Sequence, residues 1–160
     1  MTRTVLSVLA LVVATQTAAA DTAAGQRALA LAALVAEHVP LLNGQDKQAL
    51  VRMFQGNLTF AFPAGRKISV QADQIVCRAS NVDITSRSCT LSFGARTATL
   101  SGRRAHELFA TLAELGVPED GAAGSVFVGL SQLDCTLDPN EIKQKAGGGA
   151  DCTFNRGAAR

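Results

Sequence analysis

The first twenty residues have the layout of a secretory leader, and no cysteine appears before Cys77. Arg3 supplies a positive start, Val5 to Val13 an apolar stretch interrupted only by Ser7, and Ala18-Ala19-Ala20 a small-residue cleavage signal before Asp21. Such a leader directs the chain to an oxidising compartment, secreted or periplasmic, where Cys77, Cys89, Cys135 and Cys152 can pair. The expected layout is a signal peptide over residues 1–20 and one secreted domain over residues 21–160.

The apolar stretch is about half of the roughly twenty residues that cross a bilayer, so release after Ala20 is expected. Asp21, not a lipid-accepting cysteine, follows the cleavage point, and no membrane anchor is expected after cleavage. Losing Arg3 with the leader leaves fourteen basic residues against thirteen acidic ones, a balance that does not favour nucleic acid. Their order along the chain says more. From Gly65 to Arg104 seven arginines and lysines face only Asp73 and Asp83, and from Ala105 to Ile142 there are acids and no lysine or arginine. Such segments either pack side by side with their charges loosely paired, or build a basic face that steers an anionic ligand or an acidic protein partner.

Periodicity predicts an α+β fold, a small single domain with a mainly antiparallel sheet covered by about three helices and stapled by disulfides. Residues 22–39 carry a broad apolar helical stripe stopped by Pro40, with His38 in the last turn. A second helix has Asn43 as N-cap, Asp46 in the first turn and Gly56 as stop. Leu58, Phe60 and Phe62 alternate as a strand whose hairpin partner begins at Ile68, and a change of parity between Ala72 and Ile75 predicts a bulge or bend near Asp73. Cys89 to Phe93 and Ala98 to Leu100 form a second hairpin around a two-residue Gly94-Ala95 turn.

Ser101 opens a third helix with Ala105, Leu108, Phe109 and Leu112 on its apolar face and Gly116 at its end. Val126, Leu130 and Leu133 recur at helical spacing and predict a fourth, against the strand preference of Val126-Phe127-Val128. Leu133, Cys135 and Leu137 then alternate, Gly147-Gly148-Gly149 reads as a flexible loop tip, and Asp151 to Phe154 as a short last strand.

Proximity along the chain pairs Cys77 with Cys89 and Cys135 with Cys152, although four cysteines allow three pairings. Neither spacing is that of a zinc knuckle, there is no C-x-x-C, and no metal or cofactor is expected. Only His38 and His106 exist. His38 suits the C-terminal end of a helix dipole, and His106 is the one candidate for a Ser-His-Asp device, without a G-x-S-x-G elbow to support it. Asp73, Asp83, Asp134 and Asp138 read as turn-forming acids, and Gly121 to Ser125 as a turn lacking the lysine of a phosphate cradle.

The remaining site candidates are basic. Arg103 and Arg104 occupy the first turn of the third helix, where the dipole disfavours cations. Ser101, Arg103 and Arg104, with Arg96 in the nearby hairpin, would suit an anion or a partner carboxylate; the competing account is internal pairing, Arg103 with Glu107 and Arg104 with an acid from the segment that follows. The chain has no Trp or Tyr, which disfavours a sugar platform, and its phenylalanines fit the core pattern. The expected role is a secreted or periplasmic binding module, in its most specific form an inhibitor or accessory protein of an envelope enzyme. Its alternatives are a small hydrolase using His106 and a purely structural envelope protein.

Overall fold

The computed structural model describes residues 20–80, 86–116, 119–120, 125–145 and 147–157. The leader, Asp83 and the stretch from Gly121 to Gly124 lie outside the described residues. The elements run β1 (Asp21–Ala24), α1 (Gln26–Ala36), α2 (Gly44–Phe54), β2 (Ile68–Ser80), β3 (Ser88–Phe93) and β4 (Arg96–Ser101). They continue as α3 (Gly102–Glu114), β5 (Glu119–Asp120), β6 (Ser125–Leu137), α4 (Pro139–Gln144) and β7 (Ala150–Arg156). All strand pairs are antiparallel, in the order β1-β7-β6-β2-β3-β4 with β5 added on β6. The fold is therefore the expected small α+β domain.

One face of the sheet carries the core. Ile68, Val70, Ala72, Ile75 and Cys77 of β2 are buried, as are Leu130, Leu133, Cys135 and Leu137 of β6. They meet α1, buried through Leu29, Leu31, Ala32 and Val35, and α3, buried through Ala105, Leu108, Phe109 and Leu112. The α2 helix packs mainly on α1. The other face is polar: Gln71, Thr90, Thr97, Thr99, Asp134, Thr136, Asp151 and Thr153 are all exposed. This alternation lets an antiparallel sheet stay wet on one side.

The parity change in β2 is met by a bulge in its neighbour. Ala72 faces Leu133 and Gln74 faces Ser131, while the pairing of β6 with β7 shifts between Ser131 and Asp134. Gln132 takes φ 52°, and its Oε1 accepts from Asn155 Nδ2 at 2.5 Å. The extra residue re-phases both strands, so the apolar side chains on either side of Asp73 reach the same core.

Both disulfides join register partners. Cys77 faces Cys89 and Cys135 faces Cys152, with S–S distances of 2.01 and 2.03 Å. All four cysteines are buried under the helices: Cys89 Sγ lies 3.4 Å from the Ala105 carbonyl and Cys152 Sγ 3.6 Å from that of Ala28.

Four expectations are corrected. Residues 22–39 do not form one helix, because Gly25 at φ 63° breaks the chain into β1 and α1; a Cβ there would lie 2.8 Å from the Gly147 carbonyl oxygen. At its other end α1 stops at Ala36 with Glu37 as C-cap, so His38 sits beyond the helix and not in its last turn, its N–H donating to the Val35 carbonyl at 3.0 Å. The segment Leu58 to Phe62 joins no strand: β2 pairs along Ile68–Ser80 with β6, but with β3 only over Gln74–Arg78, and the other side of Ile68–Asp73 takes no strand among the described residues. Residues from Val126 to Leu133 belong to β6, where two neighbouring strands override the helical spacing.

The α4 helix was not expected, although Asp138-Pro139 is a recognisable start; Asp138 Oδ1 accepts from the N–H groups of Asn140 and Glu141 at 3.0 and 3.1 Å. The glycine tract is also no free tip at its end. Asp138 N–H donates to the Gly149 carbonyl at 2.7 Å, and a Cβ on Gly149 would meet Asp138 O, Glu141 Cβ and Ile142 N, each at 2.9 Å.

Candidate functional site

At the start of α3, Ser101 occupies the N-cap position but makes no side-chain cap bond. The two arginines that follow have acidic partners. Arg103 Nε donates to Glu107 Oε1 at 2.8 Å, and Arg104 Nη1 to Glu37 Oε2 at 2.5 Å. Glu37 comes from the end of α1, earlier in the chain, and not from the acidic segment after α3. These contacts offset the unfavourable placement of cations at the positive end of the helix. Arg104 also lines a groove of about 340 Å³ with Glu37, Lys47, Val51 and Arg52, and Lys47 Nζ donates to the Glu37 carbonyl at 3.0 Å.

Arg96 stands at the opposite end of β4 from Ser101, about 17 Å away for a strand of this length. The two candidates thus occupy separate places. Arg96 borders a cleft of about 740 Å³ between the loop after α1 and the β3–β4 hairpin. Val39, Pro40, Leu41 and Leu42 form one wall, Ser69, Gln71, Ala72 and Asp73 of β2 the floor, and Phe93, Gly94 and Ala95 the other wall. Gly94 at φ 60° has the backbone that the first central position of a type II′ turn requires, and its N–H donates to the Asp73 carboxylate. The stretch of β2 where the parity changes therefore holds the hairpin tip that makes one wall.

Two features of this cleft are open to solvent. Leu41 is 98% exposed, which leaves an apolar side chain on the rim without packing. Arg96 is exposed, and no ion pair among the described residues holds it. Leu41 and Phe93 carried no site signal in the sequence. The one available hint is that Pro40-Leu41-Leu42 places two leucines directly after a helix stop, outside any periodic stripe.

His106 is exposed, and its Nδ1 lies 2.5 Å from Arg87 Nη1. The Arg87 guanidinium in turn lies over the Phe109 ring at 4.7 Å from its centroid, and its Nε is buried without a hydrogen-bond partner. A cation thus sits at the ring nitrogen that a triad carboxylate would hold. Among the acids first read as turn residues, Asp73 supports the hairpin, Asp138 caps α4 and Asp134 accepts from Gln71 at 3.2 Å. No group of three or more His, Cys, Asp or Glu among the described residues is arranged to hold a metal ion.

No protein-family model, curated protein or solved structure matches this chain. No described helix is long and apolar enough to cross a membrane. The cleft beside Arg96 is accordingly judged on its own geometry. Its volume lies within the roughly 300 to 1,000 Å³ typical of ligand clefts, and its walls are mainly apolar with a few polar groups at the rim.

Proposed function

We propose that the protein is a secreted or periplasmic binding module that holds an acidic partner protein at the cleft between the loop after α1 and the β3–β4 hairpin. The carrying observation is the exposed Leu41 beside a cleft whose cation, Arg96, is in no ion pair among the described residues. An apolar anchor next to an unpaired charge favours a protein surface that supplies both an apolar contact and a carboxylate. Inhibition of an envelope enzyme is the most specific form of this reading. The His106 hydrolase reading draws no support from the contact with Arg87.

The test is site-specific photo-crosslinking from position 41 in cell-envelope extract. The same captured protein should be lost with Arg96→Glu and with 0.5 M salt, roughly, since screening at such strength leaves only short-range attraction. It should be retained with Arg78→Glu, a change on an exposed β2 position away from the cleft. Capture that is indifferent to Arg96, or equal from any surface position, defeats the reading.

A further inference from the structure

Resting on the binding-module reading, we propose that β4 is the docking edge for the partner, which adds an extended segment as one more antiparallel strand along Arg96–Ser101. The segment carries an acidic residue opposite Arg96 and small apolar residues opposite Ala98 and Leu100.

The path of the sheet ends in β1 and β4, and of these two end strands only β1 is protected. β1 is four residues long, ends at the buried Gly25, and is tied at Asp21 by Arg156 Nε at 2.9 Å. β4 is six residues long and has no proline, lysine or bulge within it, the devices that normally stop an edge from pairing. The α3 helix does not shield it, since α3 crosses β4, β3, β2 and β6 and so runs inward over the core face.

Register shows which backbone groups are on offer. Phe93 and Arg96 close a two-residue hairpin and form the bonded pair next to the turn. Bonded pairs alternate along an antiparallel ladder, so Arg96, Ala98 and Leu100 bond inward to β3, and Thr97 and Thr99 point their N–H and C=O groups outward. No partner for these outward groups exists among the described residues.

The same register sets the side chains of the guest. Residues directly opposite in a ladder share a face, so the positions facing Arg96, Ala98 and Leu100 lie on the core face, with Arg96 at the rim of the cleft, and those facing Thr97 and Thr99 lie on the polar face. Arg96 calls for a carboxylate. Ala98, half buried, and Leu100, buried, call for small apolar groups. A second copy of this chain does not meet the first need: Ser88 to His106 contains no acid, and self-pairing centred on Ala98 sets Arg96 against Leu100.

The experiment uses the oxidised protein and the peptide Thr-Val-Thr-Val-Thr-Glu, blocked at both ends, with its Lys-terminated analogue as control. Amide exchange at Thr97 and Thr99 should slow on adding the Glu peptide, and the Glu peptide should bind about tenfold or more tightly than the Lys peptide. Arg96→Glu should invert that preference. Thr99→Pro removes one outward N–H that makes no ladder bond, a change that edge strands tolerate, and should weaken the peptide about tenfold. Unchanged exchange at Thr97 and Thr99 at saturating peptide overturns the proposal, and it does so in the wild-type chain even if the proline variant fails to fold. A concentration-dependent dimer that protects the same two amides without peptide also overturns it. Crosslinking from position 41 that survives Thr99→Pro but not Arg96→Glu would reject the added strand and leave the cleft reading standing.

Discussion

Arg104 and Glu37 join the first turn of α3 to the end of α1 at 2.5 Å. The contact explains how a helix can begin with two arginines. The carboxylate of one helix end supplies the negative charge that the first turn of the other lacks. Both side chains are about half exposed, so the pair is worth little in isolation. Arg104→Ala should cost less than about 1 kcal/mol in urea titration, a cost that shrinks as salt is raised. A loss well above that would rule out a half-exposed, screened ion pair as the whole contribution of Arg104.

Asp46 should matter more. It is the one buried acid among the described residues, and both its oxygens accept from Arg66 Nη2 at 2.9 Å. Asn43 donates to it at 2.7 Å while accepting from the Asp46 N–H at 2.9 Å, a reciprocal cap on α2. Asp46→Ala strands the Asn43 amide and releases the turn before β2. We expect a loss of about 1 to 3 kcal/mol by chemical denaturation, against about 1 kcal/mol for Asn43→Ala.

Gly149 and Gly147 make a controlled pair. Both have positive φ, 74° and 80°, so alanine is strained at either. Only at Gly149 would the added carbon strike α4, at 2.9 Å from three atoms, whereas nothing lies within 4 Å at Gly147. Gly147→Ala should lose about 1 kcal/mol and Gly149→Ala distinctly more, read as a lower melting temperature. Equal losses would show that backbone strain, not the close approach, sets the cost.

The disulfides close segments with sequence separations of 12 and 17 residues. Loop-closure entropy gives about 3 kcal/mol for each. Replacing either pair by alanine should lower stability by up to that amount, and the two losses should add because the bridges sit in different strand pairs. Peptide mapping of the oxidised chain should recover Cys77 with Cys89 and Cys135 with Cys152. A Cys77–Cys135 peptide would contradict the register of β2 with β6.

Much of the fold was legible wherever one rule acted alone. Asn43 and Gly56 bound α2, Gly94-Ala95 turns the second hairpin, and the parity change at Asp73 marks the bulge, each as a local consequence of backbone chemistry. The errors fell where rules competed. Leu58, Phe60 and Phe62 alternate like a strand yet do not take the open side of Ile68–Asp73, and Val126 to Leu133 follow a helical spacing that β2 on one side and β5 and β7 on the other overrode. Of the site, Arg96 was legible as a charge near a turn. Leu41 was not, because its importance lies in what fails to cover it.

The sequence by itself determined the local hairpin and caps and the presence of basic side chains around the third helix, and it favoured the two local cysteine pairs without excluding the others. These depend on neighbours a few residues apart. The tertiary structure alone decided which arginines are paired and which, among the described residues, are not. Glu37 lies 67 positions from Arg104, and only the packing of α1 against α3 brings them together. The same packing leaves Arg96 and the β4 edge uncovered beside Leu41. Charge pairing over such separations follows from the path of the chain in space, which no local pattern encodes.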